Sequence, residues 1–116
     1  MSGGFNVDVR REGNVWVLST HGYLNNIGGE AVSERFQKLH SEGNSTFLID
    51  LADTRIVNSI GVSILLEILE TTMETQGRLA FSNCAPIIEK TFQIMGLAQY
   101  ATVYPSTEDA LKALNT

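Results

Sequence analysis

Residues 47–65 read FLIDLADTRIVNSIGVSIL, and the change of periodicity inside this stretch decides the fold. Phe47-Leu48-Ile49-Asp50-Leu51 shows little alternation, which suits a central strand covered on both faces. Ala52 to Asn58 is irregular. From Ser59 the apolar spacing becomes helical and runs to Thr75, where Gln76-Gly77 stops it.

The flanks repeat this alternation. Toward the C-terminus, Arg78 to Phe81 reads as a short strand. Ala85 to Met95 reads as a helix with Pro86 in its first turn, where a missing N–H costs little, and Gly96 ends it. Ala101 to Tyr104 is a last short strand. Pro105-Ser106-Thr107 opens a final helix, capped by Ser106 or Thr107, with Glu108 and Asp109 in its first turn. Toward the N-terminus, Glu30 to His40 carries Val32, Phe36 and Leu39 on one face and stops at Ser41-Glu42-Gly43-Asn44. His21 to Gly29 reads as a loop. Phe5 to Val9 alternates as a half-buried strand, Arg11 to Asn14 is a turn, and Val15 to Thr20 is a second strand closing a hairpin. The order β-β-α-β-α-β-α-β-α predicts one α/β domain over residues 1–116, with its core at about 5–114. Its sheet is mainly parallel, made mixed by the opening hairpin.

Composition sets limits. The chain has 116 residues, 43% apolar and 18% charged, which supports a real core. The net charge of −5, with 8 Lys and Arg spread along the chain, offers no basic face for nucleic acid. No apolar run approaches the roughly 18 residues of a membrane span. Met1-Ser2-Gly3-Gly4 lacks the regions of a secretory signal, and the lone Cys84 makes no internal disulfide, so the expected home is the cytoplasm.

Templates for catalysis find no match. His21 and His40 have no Cys or His neighbour at metal-ligand spacing, so no metal or other cofactor is expected. There is no nucleophile elbow and no phosphate-binding glycine loop. Cys84 has no basic neighbour in sequence and reads as a buried or helix-start structural thiol. Asp50 and Asp53 read as a strand-end and a turn carboxylate.

What remains is the start of the long helix. With Ile60 at 0° on a wheel, Leu65, Leu69, Val62, Met73 and Ile68 fall within roughly 80° of a direction near 160°. Glu67, Glu70, Glu74, Ser63 and Thr71 lie opposite. Ile60 points away from the core stripe, with Ile64 on the margin near it and Ser59 and Ser63 on its other flank. An exposed apolar pair beside a serine at a helix start makes a candidate docking surface. The helix is capped by Ser59 or by Asn58. A helix N-terminus accepts added negative charge, so a phosphate of about −1.5 to −2 charges on Ser59 would leave the fold intact and change the docking face.

Taken in order, these segments resemble the STAS domains, and among them the bacterial anti-sigma factor antagonists. Gly22-Tyr23-Leu24-Asn25 is similar to the family's G-x-L-D. Ile49-Asp50-Leu51 followed by Val57-Asn58-Ser59-Ile60-Gly61 is similar to its central strand and its D-S-[SA]-G phosphorylation motif. Arg78-Leu79-Ala80-Phe81, Ile94-Met95-Gly96-Leu97 and Thr107-Glu108-Asp109-Ala110-Leu111 match its later elements. The chain departs from the pattern twice: Asn25 and Asn58 stand where the family has aspartate. The resemblance implies a regulatory module and not an enzyme. Its phosphoacceptor would be Ser59 and its partner contacts Asn25, Asn58, Ile60, Ser63 and Ile64. Its partners would be an anti-sigma factor serine kinase that binds the unphosphorylated form, and a phosphatase that resets it. A homodimer is also open to such a module. Two other readings are a STAS scaffold that is not switched and an accessory subunit of a lipid or anion transporter.

Overall fold

The computed structural model describes residues 4–116, so the Met1–Gly3 part of the N-terminal reading lies outside the described residues. Five strands form one sheet in the order β1-β2-β3-β4-β5: β1 (Asn6–Glu12), β2 (Val15–His21), β3 (Thr46–Asp53), β4 (Arg78–Ser82) and β5 (Thr102–Tyr104). β1 runs antiparallel to β2, and the other three pairings are parallel. Helices α1 (Asn26–Ser41), α2 (Ser59–Glu74), α3 (Pro86–Ile94) and α4 (Thr107–Leu114) connect or close the strands, and a single 3-10 turn spans Leu97–Gln99. The predicted element order is the observed one.

β3 is covered on both faces, as its run of apolar residues requires. Phe47, Ile49 and Leu51 join Leu18, Phe36, Leu65, Leu69, Phe81 and Phe92 in the main core under α1, α2 and α3. Leu48 points the other way, to a smaller core with Val15, Val17 and Ala80 that Ala110 and Leu114 of α4 cover. Each fully buried Val, Leu, Ile or Phe side chain among these contributes about 1.5–3 kcal/mol relative to exposure, and the two alanines less.

Several boundaries move. α1 begins at Asn26 and not at Glu30, so Gly28 and Gly29 lie in its first turn instead of the expected loop. Both glycines are set by close approach: a Cβ on Gly28 would come within 2.8 Å of the Tyr23 carbonyl oxygen, and one on Gly29 within 2.8 Å of Ile64 Cδ1. β1 continues through Glu12, which tightens the hairpin turn to Gly13-Asn14, with Gly13 at φ 66°. β3 runs on to Asp53, which is a strand end and not part of an irregular segment. Met73, expected in the core stripe of α2, is 49% exposed. The inward position of that last turn goes to Thr72, which is buried and whose hydroxyl donates to the Ile68 carbonyl at 2.8 Å.

Candidate functional site

The site is built where two chain segments run side by side. The Leu24 N–H donates to the Ile56 carbonyl (3.0 Å), and the Asn58 N–H donates to the Leu24 carbonyl (3.2 Å). This short parallel bridge between Leu24 and Val57 sets the starts of α1 and α2 next to each other. Gly61 makes the approach close, since a Cβ there would overlap the Leu24 carbonyl oxygen.

Each helix is capped by an asparagine. Asn25 Oδ1 accepts from the Gly28 N–H at 3.0 Å, and Asn58 Oδ1 accepts from the Gly61 N–H at 2.8 Å. The cap of α2 is therefore Asn58, and Ser59 is the first helical residue. Ser59 is exposed, and among the described residues its hydroxyl has no hydrogen-bond partner. The first N–H groups of a helix lack intrahelical acceptors, so the hydroxyl sits where the helix end carries partial positive charge. Ser63 is exposed too, but its hydroxyl donates to the Ser59 carbonyl at 2.8 Å.

Of the expected aliphatic pair, Ile60 is 55% exposed. Ile64 is not exposed as expected: it is half-buried and lies over Gly29 of α1, because the missing side chain there admits it between the helices. The apolar surface near Ser59 draws on other segments instead. Ile27 (66% exposed) is the second residue of α1, and Tyr23 and Ile56 are exposed on the two bridged segments. Gly22, Tyr23, Asp53, Arg55 and Ile56 line a cleft of about 330 Å³. Arg55, Ile56 and Val57 form a smaller one of about 140 Å³ with Ile87, Ile88 and Thr91. The reading of the helix alone missed Tyr23, Ile27, Ile56 and Ile87. One signal was present, the repetition of Asn-x-Ile-Gly at 25–28 and 58–61.

The family model for the STAS domain matches residues 6–110. The chain belongs to the STAS domain family. Solved structures agree on the fold. An anti-sigma factor antagonist from Mycobacterium paratuberculosis superposes with a TM-score of 0.87 at 21% identity, covering 100% of this chain and 98% of that one. An anti-sigma-factor antagonist (STAS) domain protein from Planctomyces limnophilus gives 0.82 at 21% identity, covering 95% and 98%. The Bacillus cell fate determinant SpoIIAA in its phosphorylated form gives 0.74 at 20% identity, covering 95% and 98%. No curated protein matches this STAS chain by sequence.

Other titratable groups in this STAS domain have structural surroundings. Burial pushes the Cys84 thiol up to about 12, helped by Glu89 and Asp50, so it stays protonated. Asp50 accepts from Asn83 Nδ2 at 3.0 Å and from the Ala52 N–H at 3.1 Å. Asp53 bonds His21. Among the described residues no group of three or more His, Cys, Asp or Glu side chains is arranged to hold a metal ion, and no helix is long and apolar enough to cross a membrane.

Proposed function

We propose that this chain is an anti-sigma factor antagonist, a protein-binding module switched at Ser59. The observation that carries the reading is an exposed, unengaged hydroxyl at the first position of a helix that Asn58 already caps. The fold's own need for a cap is met by Asn58, so a modification at Ser59 leaves the helix start intact. Around it, Tyr23, Ile27, Ile56 and Ile60 offer apolar anchors to a partner, with Arg55 beside them. The partner is an anti-sigma factor that is also a serine kinase, bound by the unphosphorylated form. It carries out the chemistry, and this chain is its ligand and substrate, with a phosphatase removing the phosphate. Both proteins work in the cytoplasm, and neither nucleic acid nor membrane is a partner.

The asparagines bear on this reading. As cap acceptors Asn25 and Asn58 do what aspartates would do, with no charge. At Asn58 this removes a carboxylate next to the incoming phosphoryl group and so lowers repulsion. A hundredfold loss of affinity needs about 2.7 kcal/mol. An unpaired phosphate of about −1.5 to −2 charges in a partly apolar interface supplies that.

Calorimetric titration of the chain into its anti-sigma factor kinase tests the proposal. Tight binding of the unmodified chain, weakened about a hundredfold after treatment with ATP, is the expected result. Equal affinity before and after phosphorylation would rule the switch out.

A further inference from the structure

His21 ends β2 with its ring set between two carboxylates from different strands. Nδ1 lies 2.8 Å from Asp53 Oδ2 at the end of β3, and Nε2 lies 2.8 Å from Asp8 Oδ2 on β1. The register explains the meeting: His21 pairs with Asp53 in the parallel ladder and with Asn6 in the antiparallel one, which makes Asp8 its diagonal neighbour on the same face. A neutral imidazole carries one N–H and can donate to only one of these oxygens. Its other nitrogen would then direct a lone pair at a carboxylate within hydrogen-bond distance. Only the imidazolium, with two N–H groups, satisfies both contacts at once.

We infer that His21 is a proton-operated clamp that ties the start of edge strand β1 to the end of β3, and that it releases Asp8 when it becomes neutral. The surrounding charges favour the closed form. Arg10, the nearest cation on β1, is turned to Glu12 (2.9 Å) and to Ser19 (3.4 Å). Asp50, opposite Ser19 on β3, is occupied by Asn83 and the Ala52 N–H. Asn6 leans on the other oxygen of Asp8 at 3.5 Å, and Arg55 shares a cleft with Asp53. Two carboxylates thus face one ring, and the pKa of His21 is raised above 6.5, chiefly by the Asp53 hydrogen bond, against some desolvation and with further help from Asp8. The two contacts are equally short, but Asp53 is the direct ladder partner of His21 and Asp8 only its diagonal neighbour on the edge strand, so the neutral ring keeps its N–H on Asp53 and lets Asp8 go.

The direction of the pH effect follows. A pKa higher in the folded chain than in the unfolded one makes the clamp fully effective below 6.5 and weakens it as pH rises through the folded value. Release loosens the edge of the sheet at Asn6–Asp8, next to Phe5, whose ring lies against Gly22 and Gly28 at the start of α1. The clamp is a property of the chain alone and does not depend on the partner proposed above.

NMR titration of the imidazole nitrogens, with amide exchange read from about pH 6 to about pH 8.5, tests it. Expected are a His21 pKa above 6.5, lowered most by Asp53→Asn and less by Asp8→Asn. Protection factors at Asn6–Asp8 should fall severalfold as His21 loses its proton, with no such step in His21→Gln. A His21 that titrates at or below 6.5, or one indifferent to both aspartate changes, overturns the clamp. So does β1 protection that stays constant through the titration.

Discussion

α1 and α2 begin with the same local device, and they differ at one place. In each, an asparagine caps the helix by accepting from the third N–H, the second residue is an exposed isoleucine, and the third is a buried glycine pressed against the neighbouring chain. The four residues are Asn25-Asn26-Ile27-Gly28 in one and Asn58-Ser59-Ile60-Gly61 in the other. Cap, apolar knob and close approach are therefore common features that a packed helix start can use for stability alone. The hydroxyl at Ser59 is the one chemical addition at α2, and it is the group the fold needs least. That separation is what the proposed modification at Ser59 requires of a helix start.

The comparison can be broken most severely at its glycines. Gly61→Ala places a Cβ into the Leu24 carbonyl and should cost about 3 kcal/mol, read by chemical denaturation. Gly28→Ala should cost less, because its contacts include the ring edge of Phe5 as well as the Tyr23 carbonyl. Equal losses would mean that the two helix starts are held with the same rigidity. Next in size is charge at the first helical residue. Ser59→Asp should weaken binding to the proposed kinase by close to a hundredfold, about 2.7 kcal/mol, while Asn26→Asp at the twin position changes it by less than about threefold. Comparable losses at both positions would spread the switch over the whole face.

Smaller effects test the knobs and the caps. Ile60→Ala should lower kinase affinity about tenfold with stability unchanged within about 0.5 kcal/mol, since the side chain is mostly in solvent. Ile27→Ala sharpens the picture, because a similar loss extends the docking face across both helix starts. Asn58→Ala and Asn25→Ala should each cost about 1 kcal/mol in thermal unfolding, and the aspartate replacements should restore the cap. If Asn58→Asp instead destabilised the chain, the neutral cap would be a requirement of this site.

The element order was readable because β3 is covered on both faces and the helices carry clear apolar stripes. Phe47, Leu48 and Ile49 alternate between two separate cores, which is why their run shows no polar partner. The start of α1 was not readable, because Gly28 and Gly29 look like loop residues when a close approach to Tyr23 and Ile64 is unknown. Met73 and Ile64 changed places for a related reason. A wheel gives direction but not what stands opposite, and only the packed structure puts Gly29 over Ile64 and turns Thr72 inward. Ile60 could be read as outward-facing from periodicity. Tyr23, Ile27 and Ile56 could not be joined to it, since the Leu24–Val57 bridge that gathers them is a long-range contact.

The central claim is that Ser59 accepts a phosphate that its structural twin cannot. Incubation of the chain with the anti-sigma factor serine kinase proposed as its partner and ATP, followed by mass mapping of the peptides, measures this directly. The account predicts one phosphate, on Ser59, and none on the Ser59→Ala chain. A phosphate on another residue, or none on the native chain, would contradict it.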